Sequence, residues 1–343
     1  MHHETPVRRP RRRLALAPLA ALILVLAAFA AGCGSSDDSS ATAASGGGGS
    51  ASAPETIKVG SFSKAVDYAP YLIARKKGWF EEEFAKDNVK LEFKEYDSAP
   101  SITEAFGSNR ADFVFLAEVP ALIVQAAKIP VRVSKISAAI PFTAVVAPDS
   151  DIQTPADFKG KKIGVLTGTG SHYGLLKVLS EAGLSPGDVE IVNLAPDDAK
   201  AAFESGGIDV WAVWPPYVQQ EEVAGQGRIV EGGDDARIFS ILAVRGGFYD
   251  EHPEQVERFH AVLDRARTWL KDNPDEAKAI VADELGFDKP IIDASWAVND
   301  WDAPLDEAIV SDFQSRAEFL KDGGFVTRRV DVAEENFVAL PEG

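Results

Sequence analysis

The segment Thr167 to His172 (TGTGSH) holds the residue types in this chain best suited to recognising a ligand. Two glycines, two threonines and a serine precede Tyr173, Leu175, Leu176 and Leu179, which are spaced for one helical face. A glycine-bearing loop that opens a helix presents unpaired backbone N–H groups and the positive end of the helix dipole, roughly half an elementary charge. That arrangement suits an oxyanion. Ser171 reads as the N-cap, its oxygen accepting a hydrogen bond from an amide of the first turn. An ordinary capped helix after a tight turn is the plain alternative, and the loop alone does not separate the two. Catalytic readings fit less well. A dinucleotide loop would continue Gly168-x-Gly170 with a glycine at 173, where the chain has Tyr173, and Gly174 comes one residue late. Thr169 stands two residues before Ser171, so there is no G-x-S-x-G elbow. His172, His252 and His260 are the only histidines beyond the first three residues, too few for a triad or a three-histidine metal site.

The elements that position this loop follow from pattern. Ile163–Leu166 is a short apolar run expected as a buried strand, and Gly183 ends the helix that follows the loop. Val189–Leu194 reads as a strand, Pro196–Ser205 as a helix and Ile208–Val213 as a strand, a β-α-β-α-β order that predicts a parallel sheet. Earlier in the chain the same grammar recurs. Ile57–Ser61, Val89–Tyr96, Asp112–Leu116 and Val131–Ile136 read as strands. Pro70–Lys77, Pro100–Gly107 and Ala121–Ala127 read as helices, with proline at first-turn positions where its missing N–H costs nothing. Pro141–Pro148 and Arg237–Arg245 are extended and apolar and read as two crossings between lobes. Beyond them Pro253–Leu270, Asn273–Leu285, Pro290–Ala297 and Leu305–Leu320 are helical. No internal repeat is visible in the sequence.

Composition narrows the class. The chain has 343 residues, 45% hydrophobic and 26% charged, enough for two lobes with cores of their own. Its net charge is −18, and beyond residue 32 it carries 30 basic against 52 acidic residues. Such a balance argues against nucleic acid and against anionic lipid surfaces as partners. It also requires local amides and hydroxyls to hold any anionic ligand. With a single cysteine, Cys33, neither an intrachain disulfide nor a zinc–thiolate site is available.

The N-terminal 54 residues read as address and tether. Arg8, Arg9, Arg11, Arg12 and Arg13 precede an apolar run, Leu14–Ala31, that ends Ala30-Ala31-Gly32-Cys33. This resembles a bacterial lipoprotein signal, which implies a signal peptide over 1–32 and lipid attachment at Cys33. A plain secretory signal or a membrane span is the alternative. Residues 33–54, rich in Gly, Ser and Ala, read as a flexible tether.

From about Ile57 to Gly324 the chain resembles the substrate-binding proteins of ABC importers in the nitrate, sulfonate and taurine group. The residues that carry the resemblance are PYLIARKKGWFEEEF from Pro70, Asp157-Phe158-Lys159-Gly160-Lys161-Lys162, the GTGSHY loop, and Asp209-Val210-Trp211-Ala212-Val213-Trp214 with Pro216-Tyr217. Within the group the small-residue loop followed by Ser and His is most similar to aliphatic-sulfonate binders. The resemblance implies an α/β fold of the two-lobe periplasmic-binding-protein type, each lobe a mainly parallel sheet flanked by helices, joined by two crossing strands. The expected division is 55–142 and 241–343 for the first lobe and 143–240 for the second. It implies a small organic anion captured between the lobes and delivered to an ABC importer permease and its ATPase. The protein would be a monomer outside the cytoplasmic membrane or in the periplasm, with no chemistry and no cofactor. Nitrate, or a thiamine-pyrimidine or riboflavin-type heterocycle, is the alternative ligand on the same fold, and an exported enzyme is the alternative class. Ligand contacts implied by the resemblance are Phe62, Ser63, Asp67 and Tyr68, then Glu118, Val119 and Thr143, then Gly168, Thr169, Gly170, Ser171 and His172. Trp214 and Tyr217 would wall a short alkyl chain, with Trp211 in the core instead. Many relatives have Asp or Glu where this chain has Pro215, which points away from an amino-sulfonate. A Glu118 facing the anion would need a cation or proton, and His172 is the nearest candidate.

Overall fold

The computed structural model describes residues 53–62, 64–233 and 236–340. The signal segment, Cys33 and Ser63 lie outside the described residues. Two five-stranded sheets organise the chain. The first is built from β1 (Thr56–Phe62), β2 (Lys90–Tyr96), β3 (Phe113–Ala117), β4 (Val131–Ile140) and β10 (Ile238–Arg245), in the order β2-β1-β3-β10-β4. The second contains β5 (Thr143–Val146), β6 (Lys162–Val165), β7 (Glu190–Asn193), β8 (Val210–Ala212) and β9 (Arg228–Glu231), in the order β7-β6-β8-β5-β9. In each sheet the three strands at one end are parallel, and the fourth runs antiparallel to both of its neighbours. The two orders are therefore the same, although no repeat is visible in the sequence.

The antiparallel strand of each sheet is the one that arrives from the other sheet. β5 follows β4 after two residues, and β10 follows β9 after residues 232–237. Both expected crossings are strands, and Ile238, Phe239 and Ser240 belong to the first sheet. Their apolar character follows from burial on both faces: every residue of β5, and all of β10 but Arg245, is buried.

Among the described residues twelve α-helices fill the connections and the C-terminal region: α1 (Ala69–Lys76), α2 (Trp79–Phe84), α3 (Ala99–Gly107), α4 (Glu118–Ala126), α5 (Gly170–Glu181), α6 (Pro196–Glu204), α7 (Tyr217–Val223), α8 (Gly246–Glu251), α9 (Pro253–Asp272), α10 (Pro274–Leu285), α11 (Lys289–Trp296) and α12 (Glu307–Asp322). Aromatic rings tie the first sheet to α1, α2 and α9. Phe113 stacks on Phe259 at 4.2 Å, Phe80 on Phe259 at 4.5 Å and Tyr71 on Phe115 at 4.4 Å. Such buried rings stabilise the core by about 1.5–3 kcal/mol each. None of the described helices is long and apolar enough to cross a membrane.

Candidate functional site

The polar groups of interest sit at the C-terminal ends of strands from both sheets, where open α/β sheets place ligands. Three helices point their N-termini at one small cavity. Asp67 and Tyr68 precede α1, Ala117 and Pro120 flank the start of α4, and Thr169, Gly170 and Ser171 open α5; all line the cavity. Phe62, Trp214 and Ser240 also line it, with Ala65, Ile140 and Ile238. Its volume is about 20 Å³, room for roughly one water.

The loop before α5 shows why its residues are small. Gly168 has φ +79°, a left-handed conformation that L-residues adopt at a cost. A Cβ on Gly170 would lie 2.5 Å from Ile238 Cγ2 and 3.3 Å from Ala117 Cβ. Glycine there lets the α5 terminus approach β10 and the end of β3 directly. The N-cap is Thr169, not Ser171. Thr169 Oγ1 accepts from the His172 amide at 3.3 Å and donates to the Leu166 carbonyl at 2.7 Å. The helix starts two residues earlier than the cap reading required, so Ser171 lies inside its first turn. Its hydroxyl is buried at 2% exposure and has no hydrogen-bond partner. A buried polar atom without a partner is costly, and here it belongs to a residue lining a cavity at a helix N-terminus.

Asp67 is the second such group. Its Oδ2 accepts the Ser240 hydroxyl, its Oδ1 has no partner, and burial raises its carboxyl to about 7.

Beside this cavity lies a cleft of about 1260 Å³. The two share Phe62 and Thr169 as wall residues. The cleft runs between α3 and α4 on one side and α5 and β7 on the other. Val119, Ile123, Leu166, Leu176, Ile191 and Leu320 make it largely apolar.

His172 faces the cleft. Its Nδ1 accepts from the Gly168 amide at 3.3 Å, which leaves the proton on Nε2. Burial lowers its pKa to about 4, so the ring is neutral at pH 7 and offers an N–H donor rather than a charge. The edge of Phe325 meets it at 5.1 Å.

The remaining expected contacts separate by position. Val119 and Gly168 line the cleft, whereas Glu118, Thr143 and Tyr217 line neither space. Thr143 gives its hydroxyl to the Val213 carbonyl at 2.9 Å. Tyr217 packs its ring behind Trp214, at 5.9 Å and 85°. The strand β8 stops at Ala212, so Trp214 lies beyond it. Trp211 is in the core against Phe203 and Tyr217. Trp214 donates from Nε1 to the Lys64 carbonyl at 3.0 Å, a bond between the two halves of the molecule.

Glu118 does not face the anion cavity with His172 as its partner. Its Oε1 accepts from Arg316 Nη1 at 2.8 Å and its Oε2 from the Phe239 amide at 2.9 Å. Burial raises its pKa, and Arg316 opposes that rise. Arg316, on α12, also donates to the Arg237 carbonyl at 2.8 Å and stacks over Tyr173 at 4.7 Å. One side chain thus joins α4, the start of β10 and α5. Sequence reasoning missed it. The signal was its register: Ile309, Phe313, Arg316, Ala317 and Leu320 form one buried helical face with a cation in it.

Comparison with known proteins places this architecture. A family model described as NMT1/THI5 like matches residues 65–277. A putative aliphatic sulfonates-binding protein of Bacillus subtilis (strain 168) is 32% identical over 267 residues, covering 77% of this chain and 80% of that protein. Another putative aliphatic sulfonates-binding protein, of Escherichia coli (strain K12), is 25% identical over 289 residues, 82% of this chain and 89% of the other. The crystal structure of the periplasmic aliphatic sulphonate binding protein SsuA from Escherichia coli superposes with a TM-score of 0.73 at 23% identity, covering 85% of this chain and 95% of its own, which shows a shared fold.

Proposed function

The chain belongs to the NMT1/THI5-like family, and on that premise we propose that it is an exported solute-binding protein for a small organic anion. The anion is an aliphatic sulfonate, delivered to the permease and ATPase of an ABC importer. The observation that carries this reading is the convergence of three helix N-termini on a buried cavity where the Ser171 hydroxyl has no partner. A sulfonate has three acceptor oxygens and stays ionised at every relevant pH, so amide and hydroxyl donors can hold it without a lysine or arginine. Its alkyl chain would extend past Phe62 and Thr169 into the apolar cleft.

The cavity of about 20 Å³ is smaller than a sulfonate head, so entry requires the walls to separate. The two sheets with their helices act as lobes, residues 55–142 with the C-terminal region against residues 143 to about 237. Closure around the ligand is driven by contacts made only in the closed state. In this reading the protein binds and delivers its ligand without chemistry, in keeping with the binding proteins named above. It works as a monomer held to the outer face of the cytoplasmic membrane by a lipid on Cys33, with residues 33–54 as tether.

A thermal-shift panel tests the reading, with alkanesulfonates of increasing length, amino-sulfonates, sulfate esters, nitrate, pyrimidines and riboflavin. A ligand at 100 times its dissociation constant stabilises by about 2.7 kcal/mol. A shift with sulfonates supports the proposal. A shift with nitrate or an uncharged heterocycle alone overturns it.

A further inference from the structure

The small cavity contains a charge that plain anion binding leaves unbalanced. Asp67 is 3% exposed and its Oδ1 is unpartnered. β10 contributes the neutral Ser240, whose hydroxyl satisfies Oδ2, and β4 contributes Ser137, which donates to the Asp67 backbone carbonyl at 2.6 Å. α5 contributes Thr169 and Ser171, and Tyr68 stays a neutral phenol, its pKa raised first by burial and then by Asp67 and Glu118. The charge of Glu118 on α4 is taken up by Arg316. Among the described residues no ion pair reaches Asp67. An anion seated against the three helix ends is therefore repelled by this carboxylate unless a positive charge enters with it. Phe62, Tyr68 and Trp214 line the same space, and aromatic faces of this kind attract an ammonium. A zwitterion also escapes the unfavourable field of a chain with net charge −18.

We infer that Asp67 is a specificity-determining residue that makes this site favour sulfonates bearing an ammonium on a short chain over plain alkanesulfonates of the same length. The inference rests on the sulfonate reading and sharpens it. It also reverses the expectation from Pro215, because Asp67 supplies a carboxylate in the cavity wall instead.

The two ligand classes have opposite pH dependence. Burial holds the Asp67 carboxyl near 7, so from pH 6 to pH 8 it gains its charge. Affinity for a zwitterion rises over that interval, and affinity for a plain alkanesulfonate falls.

Isothermal titration of the full chain with 2-aminoethanesulfonate, its N-acetyl derivative and ethanesulfonate at pH 6 and pH 8 tests this. At pH 8 the amino compound binds at least about tenfold tighter than the other two, the scale of a hydrogen bond between charged groups. Asp67→Asn reduces that ratio toward one, by weakening the amino compound and strengthening the other two. If Asp67→Asn does not fold, the three ligands on the unaltered protein still decide. Ethanesulfonate binding as tightly as the amino compound at pH 8 overturns the inference and leaves the sulfonate reading intact. So does a preference that Asp67→Asn leaves unchanged. Failure of every sulfonate, with nitrate or an uncharged heterocycle bound, overturns both.

Discussion

Glu118 and Arg316 lie 198 positions apart and meet in a buried ion pair at 2.8 Å, with side-chain exposures of 0% and 2%. The pair stands behind the anion cavity. It fixes the N-terminus of α4 to the beginning of β10, because the same two side chains also bond the Phe239 amide and the Arg237 carbonyl. The last long helix of the chain thereby becomes part of the site's scaffold without touching the cavity.

Breaking this pair is costly because the partner left behind is a buried charge. Arg316→Met should destabilise the protein by about 3–5 kcal/mol in urea denaturation. Adding Glu118→Gln to it should recover part of that loss, since no uncompensated carboxylate remains. An unchanged midpoint for the single variant would remove the pair from the scaffold.

Ser171→Ala separates binding from folding. The hydroxyl is buried without a partner in the protein, so its removal should leave thermal stability unchanged or raise it. Affinity for a sulfonate should fall by roughly 1.5–3 kcal/mol, the worth of a hydrogen bond to a charged group. Calorimetric titration beside a melting curve reads both, and equal affinity would move the head group away from α5.

Asp67 gives stability a pH dependence of definite sign. Its carboxyl is raised by burial from 3.8 to about 7, so the folded state holds its proton over that range while the unfolded chain has released it. This contribution to stability falls as pH rises from about 4 to 7 and is level above, up to about 4 kcal/mol in all. His172, lowered by burial from 6.5 to about 4, works in the opposite direction: its contribution is lost as pH falls below 6.5. Comparison of Asp67→Asn with the unaltered protein isolates the first effect. The variant should gain relative stability steadily between pH 4 and 7 and hold that gain above.

The loop glycines differ in what they forbid. Gly168→Ala meets little, with Ile123 Cδ1 at 3.6 Å, and costs only the left-handed backbone, about 1–2 kcal/mol. Gly170→Ala drives a Cβ to 2.5 Å from Ile238 and should loosen the docking of α5 on β10. Ile238→Ala should rescue Gly170→Ala and leave Gly168→Ala unimproved. Melting temperatures of the four variants check this.

Local physics made much of this protein readable from its residues. Proline at first-turn positions, glycine after helices and apolar periodicity located α1, α3, α9 and α10 to within a residue or two. The Thr167–His172 loop was legible as the small-residue turn that opens α5, a pattern that an ordinary capped helix shares. The family was likewise legible, since its most specific segments are contiguous. The crossings at Pro141–Pro148 and Arg237–Arg245 were marked by their unbroken apolar character, which strands buried on both faces require.

What tertiary structure alone decided are the pairings across long separations. Whether Ser171 caps the helix or offers a free hydroxyl depended on Thr169 reaching His172, a choice between two good capping residues two positions apart. Asp67 meets Ser240 across 173 positions and Glu118 meets Arg316 across 198. No local propensity records such a meeting, because an acidic residue near a helix start looks the same in sequence whether its partner is solvent, a ligand or a distant arginine. The sequence by itself determined an α/β frame and its family. Only the folded chain assigned Glu118 to the scaffold and left Asp67 unpaired in the cavity, because burial and partner are set by which elements pack together.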